Sequence, residues 1–344
     1  MSVETLSVPT APTGWKRIVW PLALLTLAYV VVPLTASSYL LEAILLPFLA
    51  LSLAAVGLNL LTGYCGQLSL GSAAFMAVGA FAAYNINLRI GLPLPLTLIL
   101  SGLTAAALGT VFGLPSLRLR GFYLAVSTLA AQFFVQWALT KFSWFSNDNP
   151  SGVIDAPALR IVGIDFDDAT GRYMLSLTVV ALLTLLSWRL VCSATGRNFI
   201  AVRDNETAAR VIGVPVLRTK LLAFAISSFI IGVAGVLWAF TYLRTVEPAG
   251  FNLDRSFQIL FIVIIGGLAT IRGAFVGAAF IVIFPLLLSR LGTSVFGGVF
   301  DSGVLDMSQR IVLGALIIVF LIVEPKGIAA LLDRSATALI RWRR

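Results

Sequence analysis

The chain has 344 residues, of which 59% are hydrophobic and 11% are charged, and its mean hydropathy is +1.00. A soluble domain carries roughly 25% charged residues because its surface faces water, so this composition excludes a soluble enzyme domain and predicts a protein solvated by lipid. The net charge of +9 does not indicate nucleic-acid binding, since basic residues accumulate in the cytoplasmic segments of membrane proteins.

Apolar runs recur along the chain at the length that a membrane-crossing helix needs, about twenty residues. The runs cover 18–36, 40–62, 71–88, 94–116, 121–140, 173–194, 220–243, 256–270, 273–291 and 309–323. The sequence therefore predicts an all-α polytopic membrane protein, 1–344, with about ten transmembrane helices in a single domain. Five spans in each half would be compatible with an inverted repeat, although the residues themselves show no clear repeat.

The distribution of basic residues predicts the orientation of these spans. Most of the 24 Lys and Arg residues fall in segments that become cytoplasmic when the N-terminus is inside. Because Lys and Arg bias topology strongly, we expect both termini and the segment 195–219 in the cytoplasm. The loop 141–172 is then expected outside.

The two ends of the chain differ from the spans. Residues 1–16 form a polar segment rich in Pro and Thr, and the first apolar run lacks the small-residue pattern of a cleavable signal peptide. Residues 328–344 alternate Leu and Ile with Asp and Arg. This pattern is typical of a basic amphipathic tail that lies on the inner leaflet.

The stretch 57–75 departs from a plain apolar span because it combines four glycines with Asn59, Gln67, Ser69 and Ser72. Glycine allows either the close approach of two helices or a break in the backbone where it lines a cavity. Buried polar groups need partners from protein, water or a ligand. The spacing alone favours neither a tight packing turn nor a cavity lining, and both interpretations stay open at this point.

A second polar stretch, 196–215, carries signals for a short helix between two spans. Asp204 is predicted to cap its N-terminus, Glu206 suits the first turn, and Gly213 suits the left-handed position after the C-terminus. These signals predict a helix of roughly eight residues, about 12 Å long. Its apolar face would consist of Ala208, Val211 and Ile212. Caps at both ends favour a docking element for a cytoplasmic partner, and the alternative is an interfacial helix on lipid.

A third stretch combines the pair Gly266 and Gly267 with a small-residue spacing at Gly273 and Gly277. Such spacings are common in membrane helices, where they permit close packing. A Gly–Gly pair is also compatible with the end of one helix and the start of another. The sequence predicts tight packing or a helix break here.

Several features are missing from the sequence. The chain has no histidine, and its two cysteines lie far apart, so no metal site, catalytic residue or cofactor is predicted. No phosphate-binding loop of the Gly-x-x-x-x-Gly-Lys type is present, which indicates that this chain does not hydrolyse ATP by that device. The span interiors hold almost no charge, which argues against a proton-driven carrier.

In their order along the chain, these segments resemble the membrane-spanning permease subunits of branched-chain amino acid ATP-binding-cassette importers. The matching stretches are GLNLLTGYCGQLSLGSAAFMAVGAF, LRLRGFYLAVSTLA, GRNFIAVRDNETAARVIGVPVLRTKLLAFAISSFIIGVAGVLWAF, GGLATIRGAFVGAAF and EPKGIAALL. The same family includes permeases for urea and short amides. The resemblance implies a permease in the cell inner membrane, with a second related permease subunit, two cytoplasmic ATPase subunits and a periplasmic substrate-binding protein as partners.

The resemblance also suggests roles for the unusual segments. ATPase coupling is expected from Arg197, Arg203, Asp204, Glu206, Ala208 and Gly213. The translocation path is expected to include Asn59, Gln67, Ser69, Ser72, Gly266 and Gly267. Nothing in the spans pairs strongly with a zwitterion, so we expect most selectivity in the binding protein. Rival interpretations are a urea or short-amide permease of the same family, a secondary transporter, and a membrane-embedded enzyme, for which no catalytic cluster is evident.

Overall fold

The computed structural model of the protein describes residues 25–114, 122–149, 153–157, 159–161, 164–296, 311–312, 314–315, 318, 327–329 and 331. Within these ranges the helices are α1 (Ser38–Tyr64), α2 (Ser72–Ile90), α3 (Leu94–Gly113), α4 (Phe122–Lys141), α5 (Ala169–Cys192), α6 (Ala194–Asp204), α7 (Glu206–Val211), α8 (Val216–Leu243), α9 (Leu253–Gly266) and α10 (Ile271–Phe296). Helical turns at Leu27–Val31 and Val32–Thr35 precede α1, and 3-10 turns occupy Ser143–Ser146 and Pro248–Phe251.

Seven helical stretches among the described residues are long and apolar enough to cross a membrane, and one of them, Pro248–Gly266, combines a 3-10 turn with α9. They correspond to the second, third, fourth, sixth, seventh, eighth and ninth predicted spans, and the fifth predicted span is the 20-residue helix α4. The prediction of an all-α polytopic membrane protein is confirmed. The count of ten, the inverted repeat and the cytoplasmic termini stay predictions. Most of the tenth span, part of the first, the segment 1–16 and the tail after 331 lie outside the described residues.

Helices α1 and α8 form the centre of the bundle. In an 18-residue apolar stretch of each helix, 83% is buried in α1 and 72% in α8, compared with 28% in α10. Helix α8 packs against α1, α2 and α3, while α1 also packs against α5, α9 and α10. Small residues permit this approach: a Cβ atom on Gly79 of α2 would lie only 2.1 Å from the carbonyl oxygen of Gly232 in α8. The core therefore depends on backbone contact as well as on apolar side chains.

Four short strands close one end of the bundle. β1 (Ile154–Asp155) pairs antiparallel with β4 (Thr245–Val246), and β2 (Arg160–Ile161) pairs antiparallel with β3 (Ile164–Asp165). The 24 residues of α5 separate this end from α6 and α7 by about 36 Å. The loop before α5 and the segment after it thus lie at opposite ends of the bundle. Which end faces the cytoplasm stays a prediction.

Candidate functional site

Helix α7 begins one residue later than its sequence predicts. Asn205 is the N-cap, and its side-chain oxygen accepts hydrogen bonds from the backbone N–H groups of Thr207 at 2.9 Å and Ala208 at 3.0 Å. The prediction that Asp204 caps this helix is wrong, because α6 continues through Asp204 and only Asn205 has the extended backbone of a cap. The helix has six residues rather than eight, and Glu206 occupies its first turn as predicted.

The C-terminal end of α7 confirms the prediction for Gly213, which has a positive φ of 88°. The predicted apolar face is exposed: Val211 is 82% and Ile212 is 72% accessible, and Ala208 is exposed beside them. Ala209, on the opposite face, is only 1% accessible. The short helix therefore presents apolar side chains away from the chain.

Two contacts tie this segment to the membrane helices. The carboxylate of Glu206 forms an ion pair with the ammonium of Lys220 in α8, whose side chain is only 7% exposed. The guanidinium of Arg203 in α6 donates to the carbonyl of Gly63 at 3.1 Å and also pairs with Asp204. Arg197 lies exposed on α6. These contacts join α6 and α7 to the ends of α1 and α8.

A side chain near the end of α1 contacts the break between α9 and α10. Helix α9 ends at Gly266, Gly267 has φ of 120°, and Ala269 has φ of 57°. The side chain of Asn59 spans this break: its amide donates to the Thr270 carbonyl and its oxygen accepts from the Ala269 N–H, each at 2.8 Å. A Cβ atom on Gly63 would lie 2.0 Å from the Asn59 oxygen, so glycine is needed beside this clamp.

The Gly266–Gly277 stretch contains both features that the sequence allowed. The helix breaks after Gly266, and the helices on either side also pack at very short range. A Cβ atom on Gly266 would lie 2.0 Å from the carbonyl oxygen of Gly273, and one on Gly277 would lie 2.1 Å from that of Ile262. The break is therefore a tight reversal between α9 and α10.

The N-terminus of α2 is capped by side chains from other helices. The N–H of Ala73 donates to Ser256 at 2.9 Å, and that of Ala74 donates to Gln132 at 2.6 Å. The side chain of Thr128 accepts from the N–H of Leu70 at 2.9 Å. Sequence reasoning missed these partners, and the isolated Gln132 in an apolar run was the signal that could have found them.

Four polar residues of the 57–75 stretch are buried inside this chain. Asn59, Gln67, Ser69 and Ser72 are at most 3% accessible. Asn59 is fully paired at the helix break, and Ser69 accepts a long bond of 3.4 Å from the Gly71 N–H. The side-chain oxygens of Gln67 and Ser72 have no hydrogen-bond partner among the described residues. Their assignment to a translocation path stays a prediction.

Comparison with known proteins places these segments in a family. The sequence profile described as "Branched-chain amino acid transport system / permease component" matches residues 40–321. The chain belongs to this family of ATP-binding-cassette permeases.

Curated relatives of this permease include two proteins named "High-affinity branched-chain amino acid transport system permease protein LivM". The protein from Salmonella typhimurium is 29% identical and that from Escherichia coli is 30% identical, each over 79% of this chain. The permease spans 66%, slightly less than two thirds, of the length of these two relatives. An "Autoinducer 2 import system permease protein LsrC" from an Enterobacter species is 30% identical over 66% of this chain and 57% of its own length.

The turn between α1 and α2 of the permease also contains a shielded thiol. Burial raises the pKa of Cys65 to about 12, and the nearby Lys220 ammonium lowers it only in part. The side-chain amide of Gln67 approaches the same sulfur at 3.9 Å. Cys65 is therefore an inert packing residue next to the segment that carries Arg203 and Glu206.

Proposed function

We propose that this permease is one of two related membrane subunits of an ATP-binding-cassette importer for branched-chain amino acids. Two cytoplasmic ATPase subunits would supply the energy, and a periplasmic binding protein would deliver the substrate in the cell inner membrane. The similarity to the two LivM proteins supports this substrate class. The similarity to LsrC favours import of a different small polar molecule as the second candidate.

The observation that carries the proposal is the construction of α7. A short helix with exposed Val211 and Ile212 on one side and the Glu206–Lys220 ion pair on the other has a free face and an anchored face. Exposed apolar side chains beside charged residues such as Arg210 are typical of a surface that a partner protein covers. We therefore assign ATPase coupling to the segment from Arg197 to Gly213.

A continuous set of contacts leads from this segment into the membrane. Arg203 binds the Gly63 carbonyl, Gly63 packs against Asn59, and Asn59 clamps Ala269 and Thr270 at the helix break. An element with two arrangements is required for alternating access, and a helix break held by one side chain is suited to that role. Displacement of α6 by an ATPase would act first on this clamp.

We further propose that the translocation path runs along the turn between α1 and α2. Non-helical backbone at membrane depth is tolerated where protein buries it or where it lines a cavity. The unpaired oxygens of Gln67 and Ser72 are polar groups that a passing polar substrate or water could satisfy. Asn59, Ser69, Gly266 and Gly267 belong to the same proposed path.

Reconstitution tests the proposed function. Proteoliposomes that hold this permease, its partner permease and the ATPases should accumulate labelled leucine only with internal ATP and external binding protein. Unlabelled isoleucine and valine should compete, whereas urea, acetamide and autoinducer 2 should not. Uptake driven by an ion gradient without ATP would establish a secondary transporter instead, and competition by urea or autoinducer 2 alone would reject the amino-acid assignment.

A further inference from the structure

At the end of the bundle opposite α7, the structure holds a cavity that the sequence did not reveal. Its volume is about 510 Å³, within the range of small-molecule sites. Three helix ends and the loop before α5 border this open cavity. It is lined by Tyr39, Glu42, Ala43, Asp167, Arg172, Tyr242 and Arg244.

The charges of this cavity balance. Arg172, in the first turn of α5, pairs with Glu42 of α1, and Arg244, at the end of α8, pairs with Asp167 at 2.6 Å. Two guanidinium groups and two carboxylates therefore face one space with no net charge. A monovalent anion or cation would leave one charge uncompensated, whereas a zwitterion would leave none.

Arg172 is the fixed donor of the site. Only 11% of its side chain is exposed, and it also donates to the Thr241 carbonyl at 3.1 Å. Its buried Nε–H has no hydrogen-bond partner among the described residues. Arg172 also lines the cavity, so its side chain is within reach of a ligand carboxylate.

The other three charged groups can exchange partners at low cost. The side chains of Glu42, Asp167 and Arg244 are 47%, 38% and 38% exposed. Ion pairs with such exposure contribute little to stability, because water solvates the separated charges well. The Asp167–Arg244 pair can therefore open without unfolding the loop, which β1 and β4 hold independently.

We propose that this cavity is a low-affinity site for a zwitterionic α-amino acid, whose carboxylate binds the arginines and whose ammonium binds Glu42 and Asp167. The identity of the ligand rests on the proposed function, whereas the charge pattern does not. The rings of Tyr39 and Tyr242 supply apolar surface for the side chain of the ligand.

Protection of an introduced thiol tests the site directly. Ala43→Cys, at a position that lines the cavity, in the full chain with Cys192→Ser to remove the exposed native thiol, should be labelled by a maleimide in lipid nanodiscs. Saturating leucine should slow this labelling by at least about fivefold, because it fills the cavity. Leucine amide, a cation, and 4-methylpentanoate, an anion, should have little effect at the same concentration. Asp155→Cys, exposed at the same end but outside the cavity, is the matched control.

The outcomes separate this site from the proposed function. Equal protection by 4-methylpentanoate or by leucine amide would overturn the zwitterion assignment, and protection by ligand-free binding protein alone would make the cavity a docking surface. Leucine uptake by the reconstituted importer without any thiol protection would refute the site and leave the proposed function intact. Protection by leucine in an importer that does not take up amino acids would support the site and reject the proposed function. Arg244→Gln should abolish the protection by leucine.

Discussion

The hydrogen bonds of Asn59 at the break between α9 and α10 can be tested directly by mutation. Asn59→Ala removes both hydrogen bonds that the side chain makes, to Ala269 and to Thr270. A buried group left without a partner costs about 1–3 kcal/mol, so two of them cost about 2–6 kcal/mol. Because both bonds are part-buried, water can replace them in part, and we expect a cost in the lower half of this range, about 3 kcal/mol.

Hydrogen exchange measures this cost locally. About 3 kcal/mol corresponds to roughly a hundredfold change in an opening equilibrium, so the Ala269 amide should exchange roughly a hundred times faster in Asn59→Ala. Gly63→Ala should have a similar effect without removing either hydrogen-bonding group, because its Cβ would lie 2.0 Å from the Asn59 oxygen and would displace it.

Asn85→Ala is the matched control for this experiment. Asn85 is also a buried asparagine, but it bonds to Phe81 and Phe145 in another part of the bundle. The control should leave exchange at Ala269 unchanged. The clamp is refuted if Asn59→Ala alters exchange at Ala269 by less than about twofold, or if it accelerates the α8 amides to the same degree.

Four further predictions follow from the rest of the structure. Reporter fusions after Asp155 and after Asp204 should report opposite sides of the membrane, since these residues lie at opposite ends of α5; the same side for both would contradict the topology. A cysteine at exposed Ala208 should crosslink to an ATPase subunit, whereas one at buried Ala209 should not, and equal crosslinking would reject the docking face. The hydrogen bond from Arg244 lowers the pKa of Asp167. The stability that ionised Asp167 gives to the folded state is therefore present above the ordinary aspartate pKa, and it is lost as the pH falls through the lowered value. At pH 4, exchange of the Leu159 amide, which donates to Asp167, should therefore be slower than in Arg244→Gln, and identical rates would contradict this. At pH 8, a maleimide should label exposed Cys192 but leave Cys65, with its pKa near 12, unmodified; two adducts per folded chain would show that Cys65 is accessible.

The sequence was sufficient wherever one residue and its immediate neighbours decide the structure. Lipid solvates apolar runs of helical length, so hydropathy located the seven candidate spans, with limits that differ from the structure by at most eight residues. The left-handed backbone at Gly213 followed from the conformational freedom of glycine, and the sequence allowed the break after Gly266 as one of two alternatives. The apolar face of α7, formed by Ala208, Val211 and Ile212, followed from helical periodicity, and its exposure was shown by the structure.

The cap of α7 shows where local signals become ambiguous. Asp204 and Asn205 are adjacent, and both are good N-cap residues. The choice depends on where α6 ends, which is fixed by the burial of Phe199 and Val202 against the bundle. The tertiary structure therefore selected Asn205.

The partners of polar side chains were decided by the tertiary structure alone. Most spans are apolar on all sides, because each faces either lipid or another helix, so their periodicity does not show which faces meet. That Asn59 clamps Ala269, and that Arg172 meets Glu42 beside the Arg244–Asp167 pair, depends on how distant helices pack. Hydropathy records how much of a helix avoids water, but it carries no information about which neighbour excludes that water.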